Sequence, residues 1–153
     1  MGASKGEAAM TTVDEASGCS SVVVSCQVLA LPERCYRCGA VTRSVVGVLV
    51  PRGLSHDPDG FVPFAEVAGE LAVGLEEDRL AAAGIGRLRR RRSRQVPAGY
   101  VSNGCRVCDT IMGDFYLREA LVEYLAEGGH YERLALDVWV DLEVGVLHRG
   151  LGM

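Results

Sequence analysis

Four of the six cysteines form two Cys-x-x-Cys pairs, Cys35 with Cys38 and Cys105 with Cys108. A two-residue spacing allows one tight turn to place both sulfurs on the same side, and thiolates are ligands that Zn²⁺ prefers. The segment 39–104 between the pairs is much longer than the roughly 15–20 residues usual in such sites. However, the entropy cost of closing a loop rises only slowly with its length. We therefore predict one zinc site built from all four cysteines.

A closed shell of four thiolates leaves no position on the metal for water or a substrate. The pattern therefore predicts a structural zinc ion rather than a catalytic one. Four thiolates and one Zn²⁺ leave two net negative charges, which nearby cations would stabilise. The candidates are Arg34, Arg37, Arg43 and Arg106, within or beside the two turns. They are either neighbours of the sulfurs or ordinary surface residues, and the sequence favours neither interpretation.

A thiol redox protein is the alternative interpretation of the same cysteines. The second pair follows a possible strand and precedes a predicted helix, which is the setting of a thioredoxin-like motif. That interpretation gives the first pair no role, no tryptophan precedes Cys105, and no proline follows the motif. The phosphate-binding Gly-rich motifs and the Gly-x-Ser-x-Gly elbow are also missing. We therefore expect a non-enzymatic zinc-binding interaction module, with redox chemistry or a zinc–disulfide switch as alternatives.

One strongly basic stretch lies between the two pairs and holds six arginines: Arg87, Arg89, Arg90, Arg91, Arg92 and Arg94. The whole chain has a net charge of −4 and a pI of about 5.4, so it has no overall attraction to nucleic acid. The cluster could still contact phosphates locally. In a strand, its side chains would alternate between two faces, and some would pair with the chain's own carboxylates. We expect a protein partner first and a nucleic-acid partner, through this cluster, second.

The elements that must hold these residues follow from hydrophobic periodicity and turn signals. We predict strands at 22–31, ended by Pro32, and at 41–50, joined as a hairpin in which Gly39 takes a positive φ. A helix is predicted from about 64 to 84 with a break at Gly74, another from Asp114 to about 127, and a half-buried strand at 134–142. The predicted fold class is α+β: split zinc-ribbon-like β-hairpins with a helical insertion between the two Cys-x-x-Cys turns, a following helix and a C-terminal strand.

Three other groups with chemical potential receive structural interpretations. Cys26 lies among valines in a predicted strand, so we expect a buried small hydrophobe and no ligand role. Cys19 lies in the predicted N-terminal tail. Asp57 and Asp59 match part of a calcium loop, but the remaining acidic ligands do not follow at the required spacing, so we predict a plain turn.

The chain has 153 residues, 48% of them hydrophobic, which fits one domain. We place that domain at 21–147, after a disordered tail at 1–20 with few large apolar side chains and before a short tail at 148–153. No apolar run is long enough to predict a membrane span, and the first residues lack the pattern of a secretory signal. The expected location is the cytoplasm, where thiols stay reduced and paired cysteines often bind metal.

Two segments, "RCYRCGAVT" and "YVSNGCRVCDTIMGDFYLRE", resemble a group of small uncharacterised bacterial and phage proteins with a split zinc ribbon. In that group, a Cys-x-x-Cys-Gly hairpin and an Asn-x-Cys-x-x-Cys-x-x-x-x-Gly-Asp-Phe segment are separated by a helical insertion. The resemblance covers about residues 30–120, and its second segment is filled here by Asn103, Gly104, Cys105, Cys108, Gly113, Asp114 and Phe115. The group often has Pro and His within the second turn, where this chain has Arg106 and Val107. The resemblance implies zinc binding and no particular activity.

Overall fold

The computed structural model describes Met10–Val13 and residues 21–149. Within these ranges, helices and two antiparallel sheets are combined, which confirms the α+β class. In chain order the elements are β1 (Met10–Val13), β2 (Ser21–Arg34), β3 (Val41–Leu49), β4 (Phe61–Pro63), α1 (Phe64–Gly74), α2 (Glu77–Ala82), β5 (Arg89–Arg91), β6 (Tyr100–Gly104), β7 (Ile111–Met112), α3 (Asp114–Ala126), a 3-10 helix (Tyr131–Leu134), β8 (Ala135–Glu143) and α4 (Val144–Arg149).

The larger sheet is built around β2, which pairs with β3 over residues 27–34 and with β8 over residues 23–29. β1 pairs with the first residues of β2, and β4 extends the sheet beyond β3. The prediction that Pro32 ends this strand is wrong, because Pro32 pairs with Arg43 and β2 continues beyond it. Pairing with β8 stops at Leu29, so β2 has an open edge at Pro32, where a proline without an amide donor is tolerated.

Both faces of β2 are buried, which makes the larger sheet the middle layer of the molecule. Val24, Cys26 and Val28 belong to the main core, together with residues of α1 and α4. On the other face, Leu29 packs in a smaller cluster with Leu121 of α3. Strand alternation explains the division, since successive side chains point to opposite faces. The first face was predicted from the sequence, and the second was not.

The predicted helical insertion between the cysteine pairs is present as α1 and α2, with the break at Gly74. α1 buries Phe64, Val67 and Leu71 at helical spacing against the larger sheet. After α2, the chain forms β5, which pairs with β6, and β6 pairs with β7. The first cysteine pair thus lies at the end of the larger sheet and the second at the end of the smaller one.

Two described elements, β1 and α4, lie inside or across the predicted limits of the tails. Met10–Val13, inside the predicted tail at 1–20, pairs with the first four residues of β2. A short edge strand is held by backbone hydrogen bonds, which a lack of large apolar side chains does not prevent. At the other end, α4 continues past the predicted domain end at residue 147. Cys19 lies outside the described residues.

Candidate metal centre

The two cysteine pairs, far apart in sequence, meet at one point. The sulfur of Cys35 lies 3.7 Å from that of Cys108, and the sulfur of Cys38 lies 3.6 Å from that of Cys105. All four sulfurs lie within 4.8 Å of one another. A tetrahedral zinc ion with Zn–S bonds of ~2.3 Å needs sulfurs about 3.8 Å apart. The cluster therefore fits a four-thiolate metal ion, and the predicted convergence is confirmed.

The first cysteine turn, residues 35–40, joins β2 to β3. Gly39 N donates to the Cys35 carbonyl oxygen at 2.9 Å. Within the turn, the backbone N–H groups of Arg37 and Cys38 point at Cys35 Sγ, at 3.3 and 3.5 Å. Gly39 has the predicted positive φ, 81°, a conformation that costs glycine nothing because it has no Cβ. Backbone geometry alone thus places both sulfurs on one side.

The second cysteine turn, residues 105–110, joins β6 to β7 and repeats this hydrogen-bond pattern. Asp109 N donates to the Cys105 carbonyl oxygen at 2.9 Å, and Val107 N lies 3.3 Å from Cys105 Sγ. Asp109 occupies the position of Gly39 and has a φ of 62°, the only positive φ of a non-glycine residue within the described ranges. The two turns therefore have similar backbone hydrogen bonds despite their different sequences.

Two arginines of β5 hold Asp109 in place. Its carboxylate accepts hydrogen bonds from Arg89 and Arg91, one on each oxygen. The Arg91 side chain is only 8% exposed and also donates to the Ser102 carbonyl oxygen at 2.7 Å. Burial raises the pKa of the Asp109 carboxyl, but the hydrogen bonds and charges of Arg91 and Arg89 outweigh it and leave that pKa below its ordinary value. A Cβ at Gly104 would overlap the Arg91 guanidinium, so this contact requires a glycine there.

Direct hydrogen bonds also join the two turns and their strands. Arg106 donates its backbone N–H to Thr42 Oγ1 at 3.1 Å and its Nε–H to the Val41 carbonyl oxygen at 2.8 Å. The Asn103 side chain accepts from the Val45 amide at 2.7 Å and donates to the Val45 carbonyl oxygen at 2.9 Å. Asn103 is buried, and its amide group acts as a strand partner between β6 and β3. Both ends of the insertion are therefore fixed to each other next to the cysteines.

Hydrogen bonds adjust the acidity of the sulfurs. The hydroxyl group of Thr110, 3.2 Å from Cys108 Sγ, and the Thr110 backbone amide lower the pKa of Cys108 to about 6. The backbone amide of Cys38 is the main cause of the lowered pKa of Cys35. The Ala40 amide acts in the same direction on Cys38, but desolvation and the neighbouring sulfurs outweigh it and raise the pKa of Cys38 to about 11. Each turn therefore has one sulfur that favours the thiolate, the form that binds metal.

The four arginines beside the turns act mainly on the backbone. The side chains of Arg34, Arg43 and Arg106 donate to backbone carbonyl oxygens at 2.8–2.9 Å. Arg37 contacts Cys35 Sγ with its backbone N–H and not with its charged group. Arg34 and Arg106 therefore stabilise the first cysteine turn and the start of β3, whereas Arg43 binds the end of α2.

The six arginines of the basic stretch have different surroundings. Arg89 and Arg91 share one face of β5, as strand alternation predicts, and both bind the carboxylate of the second turn. Arg87 forms an exposed ion pair with a glutamate of α2 at 3.6 Å, and Arg90 donates to a loop carbonyl at 2.8 Å. Arg90, Arg92 and Arg94 are exposed and make no ion pair with another described residue.

The two other structural interpretations agree with the structure. Cys26 is fully buried in β2, where desolvation and the charge of Asp141 raise its pKa to about 12. It therefore stays protonated and packs as a small hydrophobe. Residues 55–60 form a turn in which the Asp57 carboxylate accepts a hydrogen bond from the Asp59 amide at 2.7 Å.

The residues that support the cysteines were missed by sequence reasoning. They are Thr42, Asn103, Asp109 and Thr110. One signal was available, since the second turn has an aspartate where the first has the glycine that a positive φ favours. Thr42 bonds to a segment far away in sequence, so no local pattern identifies it. Asn103 belongs to the segment that carries the resemblance, but that pattern gave it no role.

No helix within the described ranges has both the length and the apolar character needed to cross a bilayer. Comparison with known protein families, with curated proteins and with solved structures gives no match for this chain. The group of small proteins that the two cysteine segments resemble is thus not confirmed as its family. The structure itself shows a cluster of four cysteines from two separate hairpins, and this cluster could hold a metal ion such as zinc.

Proposed function

We propose that this protein is a non-enzymatic zinc-binding domain, in which a structural zinc ion joins two zinc-ribbon-like turns that bind a macromolecular partner. The observation that carries the proposal is the meeting of the four sulfurs of Cys35, Cys38, Cys105 and Cys108, with spacings of 3.6 and 3.7 Å across the two turns. Tetrahedral sites of four sulfurs are typical of zinc and of iron. Zinc fits a structural role because it has no redox chemistry of its own.

A structural role follows from the donor set. Four cysteines fill the tetrahedral shell, so the metal would keep no position for a reacting water. The N–H groups that point at Cys35 and Cys105 fix the direction of these sulfurs, as supporting groups do in metal sites. When bound, the ion would supply cohesion between two hairpins that are separate in sequence.

A binding role is supported by the ends of the two turns, which lie on the surface. The side chains between the cysteines, Tyr36 and Val107, are exposed although they are large and apolar. Scattered exposed hydrophobics are common, but here both lie on turns whose backbone is fixed by hydrogen bonds. A protein or a nucleic acid is the kind of partner that exposed side chains on such hydrogen-bonded turns can contact.

Metal analysis tests the proposal. The full chain is purified without added zinc, its metal content is measured by mass spectrometry, and its thiols are titrated with and without a chelator. We expect one zinc ion per chain and four thiols that react only after chelation. Cys38→Ser should lose the metal, because tetrahedral sites need four donors.

Cys26→Ser is the matched control, since it makes the same chemical change at a cysteine that lies in the core and not in the cluster. It should keep one zinc ion per chain, even if it lowers stability. A metal-free wild-type protein with one rapidly reacting thiol pair would instead support the thiol redox alternative. A protein that carries iron would show the visible absorption of an iron–thiolate centre.

A further inference from the structure

We propose that the surface formed by the two cysteine turns binds single-stranded nucleic acid, with Tyr36 stacked on a base and the surrounding arginines in contact with phosphates. This inference rests on the proposed function, because the zinc ion would hold the two turns side by side. It goes beyond that function by naming the class of partner and the residues that recognise it.

Charge is distributed very unevenly along the chain. The segments 34–43 and 87–110, which build the turns and the smaller sheet, hold ten arginines and one carboxylate, that of Asp109, and so carry +9. Because the whole chain carries −4, the rest of it carries −13. Four thiolates with a zinc ion would remove only two of the positive charges. The two segments that meet at the cysteines are therefore basic in an otherwise acidic protein, and the field of their exposed arginines acts over about 10 Å at 0.1 M salt.

Several of these arginines are held in position by the fold. Arg34 and Arg106 donate to carbonyl oxygens of the first hairpin, and Arg89 is bound to Asp109. A guanidinium has five N–H donors in a planar fork, so one or two bonds to protein leave others for a phosphate. Arg37 is exposed, and its side chain makes no ion pair with another described residue. Fixed cations lose less entropy on binding a phosphate than free ones do.

The aromatic ring of Tyr36 can stack on the face of a base. Its side chain is 72% exposed at the tip of the first turn, directly before Arg37. The second turn offers a similar pair, Arg106 followed by Val107, which is 60% exposed. Aromatic rings that stack on bases within a positively charged surface are the recurring means of binding single strands. In a duplex, the faces of the bases are covered by their neighbours, so this arrangement favours unpaired bases.

The shape of this end also favours a chain-like ligand over a small molecule. A groove of about 1160 Å³ lies along α3, and none of its lining residues belongs to either cysteine turn. The turns instead expose Tyr36 and Val107 near the exposed arginines. An extended polyanion can contact several such points at once.

The test is fluorescence anisotropy with the zinc-loaded full chain. The probes are a labelled oligodeoxythymidine of about 12 nucleotides and a duplex of equal length. The single strand should bind more tightly, and its affinity should fall steeply between about 50 and 200 mM salt. Tyr36→Ala should weaken binding by about 5- to 150-fold, the effect of losing one base stack. Arg37→Gln should reduce the slope of log affinity against log salt by about 0.7.

Phe115→Ala is the matched control, because Phe115 is 64% exposed but lies on α3. It should leave both the affinity and the salt slope unchanged. Zinc content is measured first for every protein, so a metal-free chain contradicts the proposed function itself. A zinc-loaded chain overturns only the present inference if it does not bind the single strand, binds equally well after Tyr36→Ala, or prefers the duplex. Stronger binding to polyglutamate would also overturn it and indicate an acidic protein partner.

Discussion

At the scale of single residues, Asp109 shows how the second cysteine turn forms without a glycine. A left-handed conformation costs a residue with a Cβ about 1–2 kcal/mol, and Asp and Asn tolerate it best. The hydrogen bonds from Arg89 and Arg91 offset this cost and fasten β5 to the turn. The arginine-rich stretch therefore has a structural task, and only part of it is available to a partner.

Asp109→Asn should destabilise the protein, because it keeps the shape and the tolerance of positive φ but removes the charge beside Arg91. A guanidinium that is only 8% exposed would lose its charged partner. We expect the free energy of unfolding to fall by about 1–3 kcal/mol. Urea unfolding of the zinc-loaded protein measures the change.

Asp114→Asn provides the comparison, since it removes an ion pair at 3.6 Å with Arg118, whose side chain is 65% exposed where that of Arg91 is buried. Such pairs contribute less than about 1 kcal/mol. Equal losses from the two substitutions would mean that the contact with Arg91 is no stronger than a surface ion pair.

At the scale of elements, the junction between β6 and β3 depends on a side chain. Asn103 satisfies both the N–H and the C=O of Val45, where a strand would otherwise pair. Asn103→Ala would leave these two buried backbone groups without partners, at a cost of about 2–4 kcal/mol. Ser25→Ala, which removes an exposed hydrogen bond to Asp141, should cost under about 1 kcal/mol in the same urea titration. A small effect of Asn103→Ala would show that water replaces the amide.

The approach of the chain to the second turn depends on Gly86. A Cβ there would overlap the carbonyl oxygen of Gly104, next to the first cysteine of that turn. Gly86→Ala should therefore lower the melting temperature and weaken zinc retention against a chelator. Gly69→Ala, in α1 with open space around its Cβ, should instead raise stability by about 0.5–1 kcal/mol, because alanine is the better helix former. If both changes raise stability, the close approach at Gly86 does not exist in solution.

Local signals predicted most elements and few of the contacts between them. The break at Gly74, the glycine turn at Gly39 and the apolar alternation of β8 were all visible in the sequence. The same reasoning ended β2 too early. A proline indicates the end of a strand unless that part of the strand has an unpaired edge. Which strand edges stay unpaired depends on the tertiary structure, so the sequence alone does not show it.

The candidate site, too, could be predicted from the sequence only in part. The four cysteines could be predicted because metal ligands need particular atoms at particular spacings. Their supporting groups could not, since Thr42 and Asn103 are ordinary polar residues until the fold brings the other hairpin to them. The pairing of Arg89 and Arg91 with Asp109 was expected only in the general sense that some arginines would meet carboxylates.

At the scale of the whole molecule, two unequal parts meet at the cysteines. The larger sheet packs helices on both faces and contains the main core. The smaller sheet has strands of only three, five and two residues. Its two ladders have only three and two residue pairs and contribute little stability of their own. Its position therefore depends on the bonds of Asn103, Arg106 and Asp109 and, under the proposed function, on a bound metal as well.

Chelation should consequently loosen one part of the molecule before the other. Hydrogen–deuterium exchange, followed by mass spectrometry on the zinc-loaded and chelated full chain, reports this segment by segment. We expect residues 35–42 and 86–113 to lose protection when the metal is removed, because structural zinc binding is worth about 10–16 kcal/mol to such modules. The amides of β2 and β8 between residues 23–29 and 135–143 should keep theirs, since they lie in the main core. Uniform loss of protection along the chain would mean that the core and the cysteine turns fold as a single unit. Unchanged protection would mean that contacts within the protein hold the smaller sheet without the metal.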